Sequence, residues 1–260
     1  MPDAARPPLY QQDPQSRFSN RADDYAKYRP SYPAAAIDAI LQDLPLTESR
    51  RVADVGAGTG ISSRLLGDRN LQVLAIEPNA TMREAAQPHA NVEYRASSAE
   101  QTGLADASVQ LVTCCQAFHW FVPEPTLREF HRILAANGRV ALMWNDRDLT
   151  DPFTQEHDQL IQKASERHIY DNPSRKSAQS LATSPLFCHY REQRFTWKRP
   201  HTAESLIGLA LSSSYIPKSG AAHDQLLVDL QGLYDRWVER STEGGVAIAY
   251  QTLLYIAEKT

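Results

Sequence analysis

Three alternating glycines follow a short apolar run in VADVGAGTG, residues 52–60. Gly56, Gly58 and Gly60 predict a tight backbone turn that leaves room for a ligand to approach. A glycine-rich turn between a strand and a helix most often binds a dinucleotide pyrophosphate, with the spacing G-x-G-x-x-G. Here the third glycine arrives one residue early, so the spacing alone is weak evidence for a dinucleotide.

An acidic residue at the end of the next predicted strand adds to this signal. In LQVLAIEPN, Glu77 stands where a carboxylate can accept hydrogen bonds from both ribose hydroxyls of an adenosine. The glycine turn and the acidic strand end together predict a cofactor that contains adenosine. The alternative is a structural turn with an incidental surface glutamate.

The segments around these residues alternate between strand and helix. PAAAIDAILQDL, GISSRLLGD and PNATMREAAQ predict helices, the last with Asn79 as its cap. PEPTLREFHRILAANG predicts a helix whose end carries Asn137-Gly138. Strands are predicted at RRVADVG, LQVLAIE, NVEYRA, SVQLVTCC and GRVALMW. This alternation implies right-handed crossovers and an α/β, Rossmann-like parallel sheet with helices on both faces, whose ligands bind beyond the carboxyl ends of the strands.

The pattern changes after residue 150. DPFTQEHDQLIQKASERHIY predicts one long polar helix, and the Ser, Asn and Pro content of 171–185 indicates a loop. HYREQRFTWKR and GVAIAYQTLLYIAEK predict two more strands, with two helices between them. We therefore predict a single domain over 18–260, with 150–189 as a helical insertion over the active-site edge, after a disordered leader over 1–17.

Composition narrows the function classes. The net charge of -4 and the ordinary charged fraction of 22% disfavour a nucleic-acid partner, which clustered lysines and arginines would bind. The N-terminus has prolines where a secretory signal needs apolar residues, and a run of about 18 apolar residues is missing, so we expect a cytoplasmic protein with no membrane partner. The adjacent Cys114 and Cys115 and the scattered histidines lack the spacing of metal ligands, so no metal site is predicted.

The glycine and acidic motifs resemble those of a known family. VADVGAGTG with Asp54, followed by AIEPN, resembles the motifs of the class I S-adenosylmethionine-dependent methyltransferases. ADDYAKYRPSYP and CCQAFHWF resemble the type 11 small-molecule group and its trans-aconitate-methyltransferase-like relatives. The resemblance covers about 18–150 and continues more loosely through SSSYIP and AIAYQTLLY. It implies a seven-stranded, mostly parallel sheet whose last strand is antiparallel, and S-adenosyl-L-methionine as the cofactor.

The resemblance also assigns cofactor-binding residues. It implies that Gly56 and Gly58 approach the methionyl part, that Asp54 orders the loop or reaches the amino group through water, and that Glu77 holds the ribose diol. Pro78 and Met82 would pack on the adenine, with Ser98, where the family commonly has Asp, at its polar edge. The full set of predicted cofactor residues is Tyr28, Arg29, Asp54, Gly56, Ala57, Gly58, Gly60, Glu77, Pro78, Met82, Ser98, Ala99, Gln116, Ala117 and Phe118.

Two segments are expected to face the methyl acceptor. QAFHWF ends the fourth strand. The resemblance implies that the segment 18–33 forms a lid across the cofactor, with Tyr28 and Arg29 facing the methionyl carboxylate or an acidic acceptor. His119 is the candidate catalytic base for a hydroxyl, carbon acid or amine, whereas a carboxylate acceptor needs no base and leaves His119 a packing or hydrogen-bonding role. The predicted acceptor-binding residues are Tyr25, Tyr32, His119, Trp120, Trp144, Asn145 and Tyr215.

The sequence therefore predicts a methyltransferase that moves a methyl group from S-adenosylmethionine to a small acceptor by direct in-line displacement. The acceptor class, a carboxylate, a hydroxyl or a carbon acid, stays open, as does the choice between monomer and homodimer. One alternative is a protein that binds the cofactor without catalysis. An NAD(P)-dependent oxidoreductase and a nucleic-acid methyltransferase fit less well, because the first needs the longer glycine spacing and the second an Asn/Asp-Pro-Pro-Tyr motif.

Overall fold

A computed structural model describes residue 10 and the ranges 22–165, 173–240 and 245–260, with only the backbone described for 173–176. The predicted leader over 1–17, apart from Tyr10, and the first four residues of the predicted lid lie outside the described residues. No helix in these ranges is long and apolar enough to cross a membrane.

Helices and strands alternate along the first half of the chain, as the sequence predicts. The helices are α1 (Ala22–Tyr28), α2 (Ala34–Leu41), α3 (Ile61–Gly67), α4 (Ala80–Glu84), α5 (Pro123–Ile133), α6 (Pro152–Ala164), α7 (Pro173–Ala182), α8 (Ala203–Leu211) and α9 (Ala221–Val238). The strands are β1 (Arg51–Val55), β2 (Gln72–Ile76), β3 (Val92–Arg95), β4 (Val109–Cys115), β5 (Leu134–Arg147), β6 (Phe187–His201) and β7 (Val246–Lys259).

The strands form one seven-stranded sheet in the order β3-β2-β1-β4-β5-β7-β6. Neighbouring pairs among β1 to β5 are parallel, whereas β7 runs antiparallel to both β5 and β6. The predicted α/β, mostly parallel sheet with an antiparallel last strand is therefore confirmed. The chain order reverses at β1, which lies between β2 and β4, and this switch point is where such sheets leave a crevice for ligands.

Apolar side chains cover both faces of the sheet. Alternate residues of β1 enter different clusters, because successive side chains of a strand point to opposite faces: Val52 packs on the face with α2, and Ala53 on the other. A further cluster joins Phe153 of α6, Leu206 of α8 and Leu233 of α9 to β7. The three late helices are thus anchored next to the carboxyl end of β5.

Two local predictions were wrong. The helix predicted to end at Asn137-Gly138 ends at Ile133, and Leu134 already pairs with Val109 in β5. The pairing then jumps to Arg139 with Leu111, so the left-handed Asn137, with φ of 60°, lies in a β-bulge and not at a helix end. The loop predicted over 171–185 contains the helix α7, which begins at Pro173, a residue favoured in the first turn of a helix.

Candidate functional site

The glycine turn connects β1 to α3 at the switch point of the sheet. Gly56, Gly58 and Gly60 all have left-handed φ values, of 72°, 56° and 75°, which strain other residues. The Gly56 and Ala57 amides donate to the carbonyl of Ile76, over 2.9 and 3.1 Å, and so tie the turn to β2. A Cβ on Gly56 would come within 2.5 Å of the Ala117 Cβ, so the backbone fits only without a side chain there.

Glu77 directly follows β2 and faces this turn. Its Oε2 accepts a hydrogen bond from the Gly58 amide at 2.9 Å, and its Oε1 accepts one from the Asn79 amide at 2.9 Å. The side chain is buried, and burial raises the pKa of Glu77, although the two amides and Arg83 act against this rise. Each carboxylate oxygen has a second acceptor position, so the fixed carboxylate can still receive hydroxyl donors from a ligand.

Asp54 lies underneath the turn and is fully buried. Its Oδ2 accepts from the Ser62 and Ser63 hydroxyls at 2.7 and 2.6 Å, and its Oδ1 accepts from the Thr113 hydroxyl at 2.8 Å. Burial raises the pKa of Asp54, and the three hydroxyl donors oppose that rise. The carboxylate therefore joins β1, α3 and β4, which corresponds to the predicted role of ordering the loop.

A cavity opens between the turn, the end of β2 and the segment after β4. Among the residues predicted for the site, its lining contains Tyr25, Gly56, Gly58, Glu77, Pro78, Met82, Ser98, Ala99, Gln116, Ala117 and Trp120. Further lining residues are Tyr10, Asn79, Glu100, Cys115, Phe121 and Val122, which the sequence did not assign to the cofactor. The structure thus brings together half of the residues that the sequence selects for the site, including nine of the fifteen predicted cofactor residues.

The far end of the cavity is shaped by α4 and by the segment after β3. Asn79 caps α4, since its side chain accepts from the Met82 amide at 3.2 Å, as predicted for this residue. Capping holds the buried Met82 against the cavity, where its methyl group would lie 3.2 Å from a Cβ on Gly58. Glu100 accepts from the Val122 amide at 3.1 Å and closes the other side.

Gln116 and His119, in the segment that follows β4, make hydrogen bonds to different residues of β5. Gln116 has a left-handed φ of 58°, and its side-chain amide donates to the Asn145 carbonyl at 3.2 Å, which ties the cavity wall to β5. The indole N–H of Trp144 donates to His119 Nδ1 at 3.2 Å, so Nδ1 carries no proton and the neutral ring holds its proton on Nε2. Burial lowers the pKa of His119 to about 3.

Several predicted site residues lie behind or beside the lining. Phe118 is buried in edge-to-face contact with Phe121 and Phe130. Tyr28 packs on Gly208 of α8, and its hydroxyl donates to Glu204 at 2.9 Å. The structure therefore places Phe118 in the core and packs Tyr28 of α1 against α8, and neither residue lines the cavity.

The remaining predicted residues frame the site from other elements. Ala57 is buried in the turn, a Cβ on Gly60 would overlap the Tyr94 hydroxyl, and Tyr32 is buried against α2. Asn145 donates to the Ser31 carbonyl at 2.9 Å and accepts from the Thr252 hydroxyl at 2.6 Å. The Arg29 guanidinium stacks over the Tyr25 ring at 5.0 Å and donates to the Ser212 carbonyl at 3.3 Å.

Two groups of residues at or near the site were not predicted from the sequence. Glu100 and Phe121 line the cavity, although charge and aromaticity alone gave no reason to prefer them over surface or core positions. Arg147, which is half-buried, and the buried Tyr250 are opposite each other in β5 and β7, close to Tyr215. Only the register of β5 with β7, two strands far apart in sequence, brings these two residues together, and the sequence does not reveal that register.

In the ranges that the structure describes, no cluster of His, Cys, Asp or Glu could hold a metal ion.

Comparison with known proteins gives consistent matches. A family model for a methyltransferase domain matches residues 53–142. An uncharacterized methyltransferase-like protein of Schizosaccharomyces pombe is 30% identical over 93% of this chain and 95% of its own length. An uncharacterized methyltransferase of Mycobacterium tuberculosis is 30% identical over 91% of this chain and 93% of its own.

A solved structure shares the fold at lower identity. Geranyl diphosphate C-methyltransferase from Streptomyces coelicolor, in complex with Mg²⁺, geranyl diphosphate and S-adenosyl-L-homocysteine, superposes with a TM-score of 0.53 and 14% identity. The match covers 99% of this chain and 100% of the other. Such a likeness concerns the fold, and the two whole-length relatives carry the family relationship.

Proposed function

The chain belongs to the class I S-adenosylmethionine-dependent methyltransferases, and from that premise we propose that it transfers a methyl group to a small-molecule acceptor. S-adenosylmethionine supplies an electrophilic methyl group on a positively charged sulfur. The residues of the chain have to bind this donor, align an acceptor with the methyl group and exclude water.

The position of Glu77 carries the proposal. A carboxylate at the end of β2, held by the amides of Gly58 and Asn79 at 2.9 Å each, faces a cavity that also contains the glycine turn. This arrangement fits a ribose diol, because a fixed acceptor pair can receive two hydroxyl donors. Pro78 and Met82 offer an apolar surface for a purine, and the space beside Gly56 and Gly58 admits the amino-acid end of the donor.

The aromatic residues after β4 suit the methyl-transfer end of the cavity. Trp120 and Phe121 line it, and electron-rich ring faces favour a nearby cation. Gln116 fixes this wall to β5 through its bond to the Asn145 carbonyl. These contacts support a water-poor position for the acceptor next to Trp120.

His119 serves this site by positioning and not by proton transfer. Its Nδ1 already accepts from Trp144, and its low pKa, about 3, makes it a weak base at neutral pH. Proton uptake at Nδ1 would also break the bond to the indole. Of the two roles that the sequence left open, this geometry favours the hydrogen-bonding one, which suits an acceptor that is already nucleophilic at neutral pH.

A turnover assay tests the proposal against binding without catalysis. The protein is incubated with S-adenosylmethionine that carries a labelled methyl group and with panels of small carboxylates, phenols and amines. We expect one class to take up label in step with release of S-adenosylhomocysteine. Tight binding of the cofactor with no transfer to any panel would favour the non-catalytic alternative. The predicted cytoplasmic location, the lid over 18–33 and the insertion over 150–189 stay predictions.

A further inference from the structure

A second group of polar side chains lies beyond the cavity, at the carboxyl end of β5. Arg147 is opposite Tyr250 of β7, and Tyr250 is opposite Trp197 of β6, so the three side chains share one face of the sheet. Trp197 stacks on Tyr250 with ring centroids 5.0 Å apart. Arg199, two residues further along β6, lies on the same face, and its guanidinium donates to the Tyr28 carbonyl at 2.6 Å.

Positive charge outweighs negative charge at this place. The guanidinium groups that act most strongly on Tyr250 are those of Arg147, Arg199 and Arg29. Asp158 of α6 pairs with Arg147 at 2.7 Å, and their side chains are only 14% and 16% exposed. Among the described residues, Arg147, Arg199 and Arg29 thus outnumber Asp158 in a partly desolvated position, where an excess of like charge is costly unless an anion compensates it.

The tyrosines respond to this field in opposite ways. Burial tends to raise the pKa of Tyr215, but Arg147, Arg29 and a hydrogen bond with Ser213 together outweigh burial and leave its pKa below the ordinary value. Burial dominates at Tyr250 and raises its pKa despite the three arginines. Both hydroxyls thus lie in the electrostatic field of guanidinium groups, and both can donate to an anion while they are protonated.

Buried nitrogens without partners gather in the same region. Arg29 Nε has no hydrogen-bond partner among the described residues, and neither ring nitrogen of His157, on α6 next to Asp158, has one either. His157 is fully buried, and burial lowers its pKa well below the usual value, with Arg147 adding to this effect. Buried polar groups normally have partners, so such a concentration points to a ligand that belongs there.

This region adjoins the cofactor cavity. Arg29 stacks on Tyr25, which lines the cavity, and Gln116, also in the lining, bonds to the carbonyl of Asn145, two residues before Arg147 on the same strand. Two residues of a strand span about 7 Å. The Asn145 carbonyl at the cavity wall therefore lies on the order of 7 Å along β5 from Arg147.

We propose that Arg147, Arg29 and Arg199, with Tyr215 and Tyr250, form an anion subsite that binds a carboxylate or phosphate group of the methyl acceptor, at a distance from the atom that is methylated. This inference rests on the proposed function. The planar guanidinium fork matches both oxyanions in two-point fashion. The acceptor is therefore an anionic small molecule.

Titration calorimetry on the protein saturated with S-adenosylhomocysteine tests the subsite. The probes are succinate, benzoate and inorganic phosphate, with succinamide and benzamide as uncharged counterparts. The test variant is the double substitution Arg147→Gln with Asp158→Asn, which removes both charges together and leaves no lone buried charge. Arg139→Gln is the matched control, because Arg139 is a buried arginine of the same strand that pairs with Glu258 at 3.5 Å, at the opposite end.

We expect the wild type to bind one class of anion and not the amides, and the double variant to lose at least about tenfold in that affinity. The control should keep it within about twofold. Preference for succinate or benzoate over phosphate identifies a carboxylate, and the reverse identifies a phosphate. Arg199→Gln should weaken the same anion and provides a second variant if the double variant fails to fold.

Three results would overturn the inference: no anion binds to the wild type, the amides bind as well as the acids, or the double variant and the control lose affinity equally. A tenfold loss of S-adenosylhomocysteine affinity in the double variant would assign the arginines to the cofactor instead, and would also overturn it. The proposed function fails separately, if S-adenosylhomocysteine does not bind to the wild type. The anion titration of the cofactor-free protein still decides the subsite in that case.

Discussion

The amide of Gly58 donates to Glu77 Oε2 at 2.9 Å, so the glycine turn after β1 and the acidic end of β2 form one unit. The second carboxylate oxygen is occupied by the Asn79 amide, which precedes α4. Three consecutive elements of the fold thus converge on one side chain. A change at any of them is expected to affect cofactor binding even where it touches no cofactor atom.

Gly56→Ala should destabilise the protein and weaken cofactor binding. An alanine there has a left-handed φ, on the order of 1–2 kcal/mol unfavourable, and its Cβ would overlap Ala117. Gly103→Ala is the matched control, since Gly103 has the same φ of 72° with its nearest neighbour at an ordinary 3.7 Å. Urea unfolding and S-adenosylhomocysteine titration should both separate the two variants. Equal losses in stability and affinity would refute the crowding argument.

Asp54→Ala should lower the free energy of unfolding by roughly 3–5 kcal/mol, because it leaves three buried hydroxyls without their charged acceptor. Asp38→Ala serves as the comparison. Asp38 is an exposed aspartate paired with Arg69, and its loss should cost about 1 kcal/mol or less. Chemical denaturation measures both. A loss under about 1 kcal/mol for Asp54→Ala would show that this carboxylate does not hold the turn together.

Cofactor affinity should decrease as the pH is lowered. The decrease should begin at a higher pH than it would if Glu77 had the pKa of an ordinary glutamate. The ribose hydroxyls need the ionised form of Glu77, and burial raises its pKa above the usual 4.5. Affinity for S-adenosylhomocysteine is therefore constant well above this pKa and decreases as the carboxyl takes up a proton. Titrations at several pH values should show this decrease in the wild type and a flatter profile in Glu77→Gln. Parallel profiles would contradict the assignment.

His119→Asn should keep most of the activity, since its side-chain oxygen can replace Nδ1 as acceptor for the Trp144 indole. His119→Leu should be the less stable variant, by about 1–3 kcal/mol, because the indole N–H loses its partner. With a pKa of about 3, His119 contributes no ionisation to the pH–rate profile between pH 5 and 8. A loss of about 10²-fold or more in kcat for His119→Asn, together with loss of an ionisation near neutral pH, would instead identify a general base.

The central strands were predictable because their side chains are buried on both faces and give continuous apolar runs. Val109–Cys115 is buried throughout, and its sequence VQLVTCC marks β4 directly. The role of Asn79 was also predictable, because asparagine is a favoured residue at the N-terminal cap of a helix. The Asn137-Gly138 pair was misread, because residues that tolerate a left-handed φ serve helix ends and β-bulges alike.

The cofactor side of the site was more predictable than the acceptor side, for a physical reason. Gly56, Gly58 and Glu77 have types that the backbone and the cofactor demand, and they lie within one strand-turn-helix unit and the strand after it. Arg147, Tyr215 and Tyr250 meet only through the pairing of β5 with β7 and the packing of α6 on β7 and of α8 on β6. Because each of these residues is a single position of a common type, no local sequence pattern predicts that the three side chains lie close together.

Titration calorimetry with S-adenosylhomocysteine on the wild type and Glu77→Ala tests the central claim most directly. NADH serves as the competing ligand, and Glu93→Ala, an exposed glutamate of β3, as the control substitution. We expect micromolar binding of S-adenosylhomocysteine, on the order of 8 kcal/mol, weakened at least about tenfold by Glu77→Ala and unchanged by Glu93→Ala, with no NADH binding. Binding of NADH instead, or equal affinity in the wild type and Glu77→Ala, would contradict the claim that Glu77 and the glycine turn bind S-adenosylmethionine.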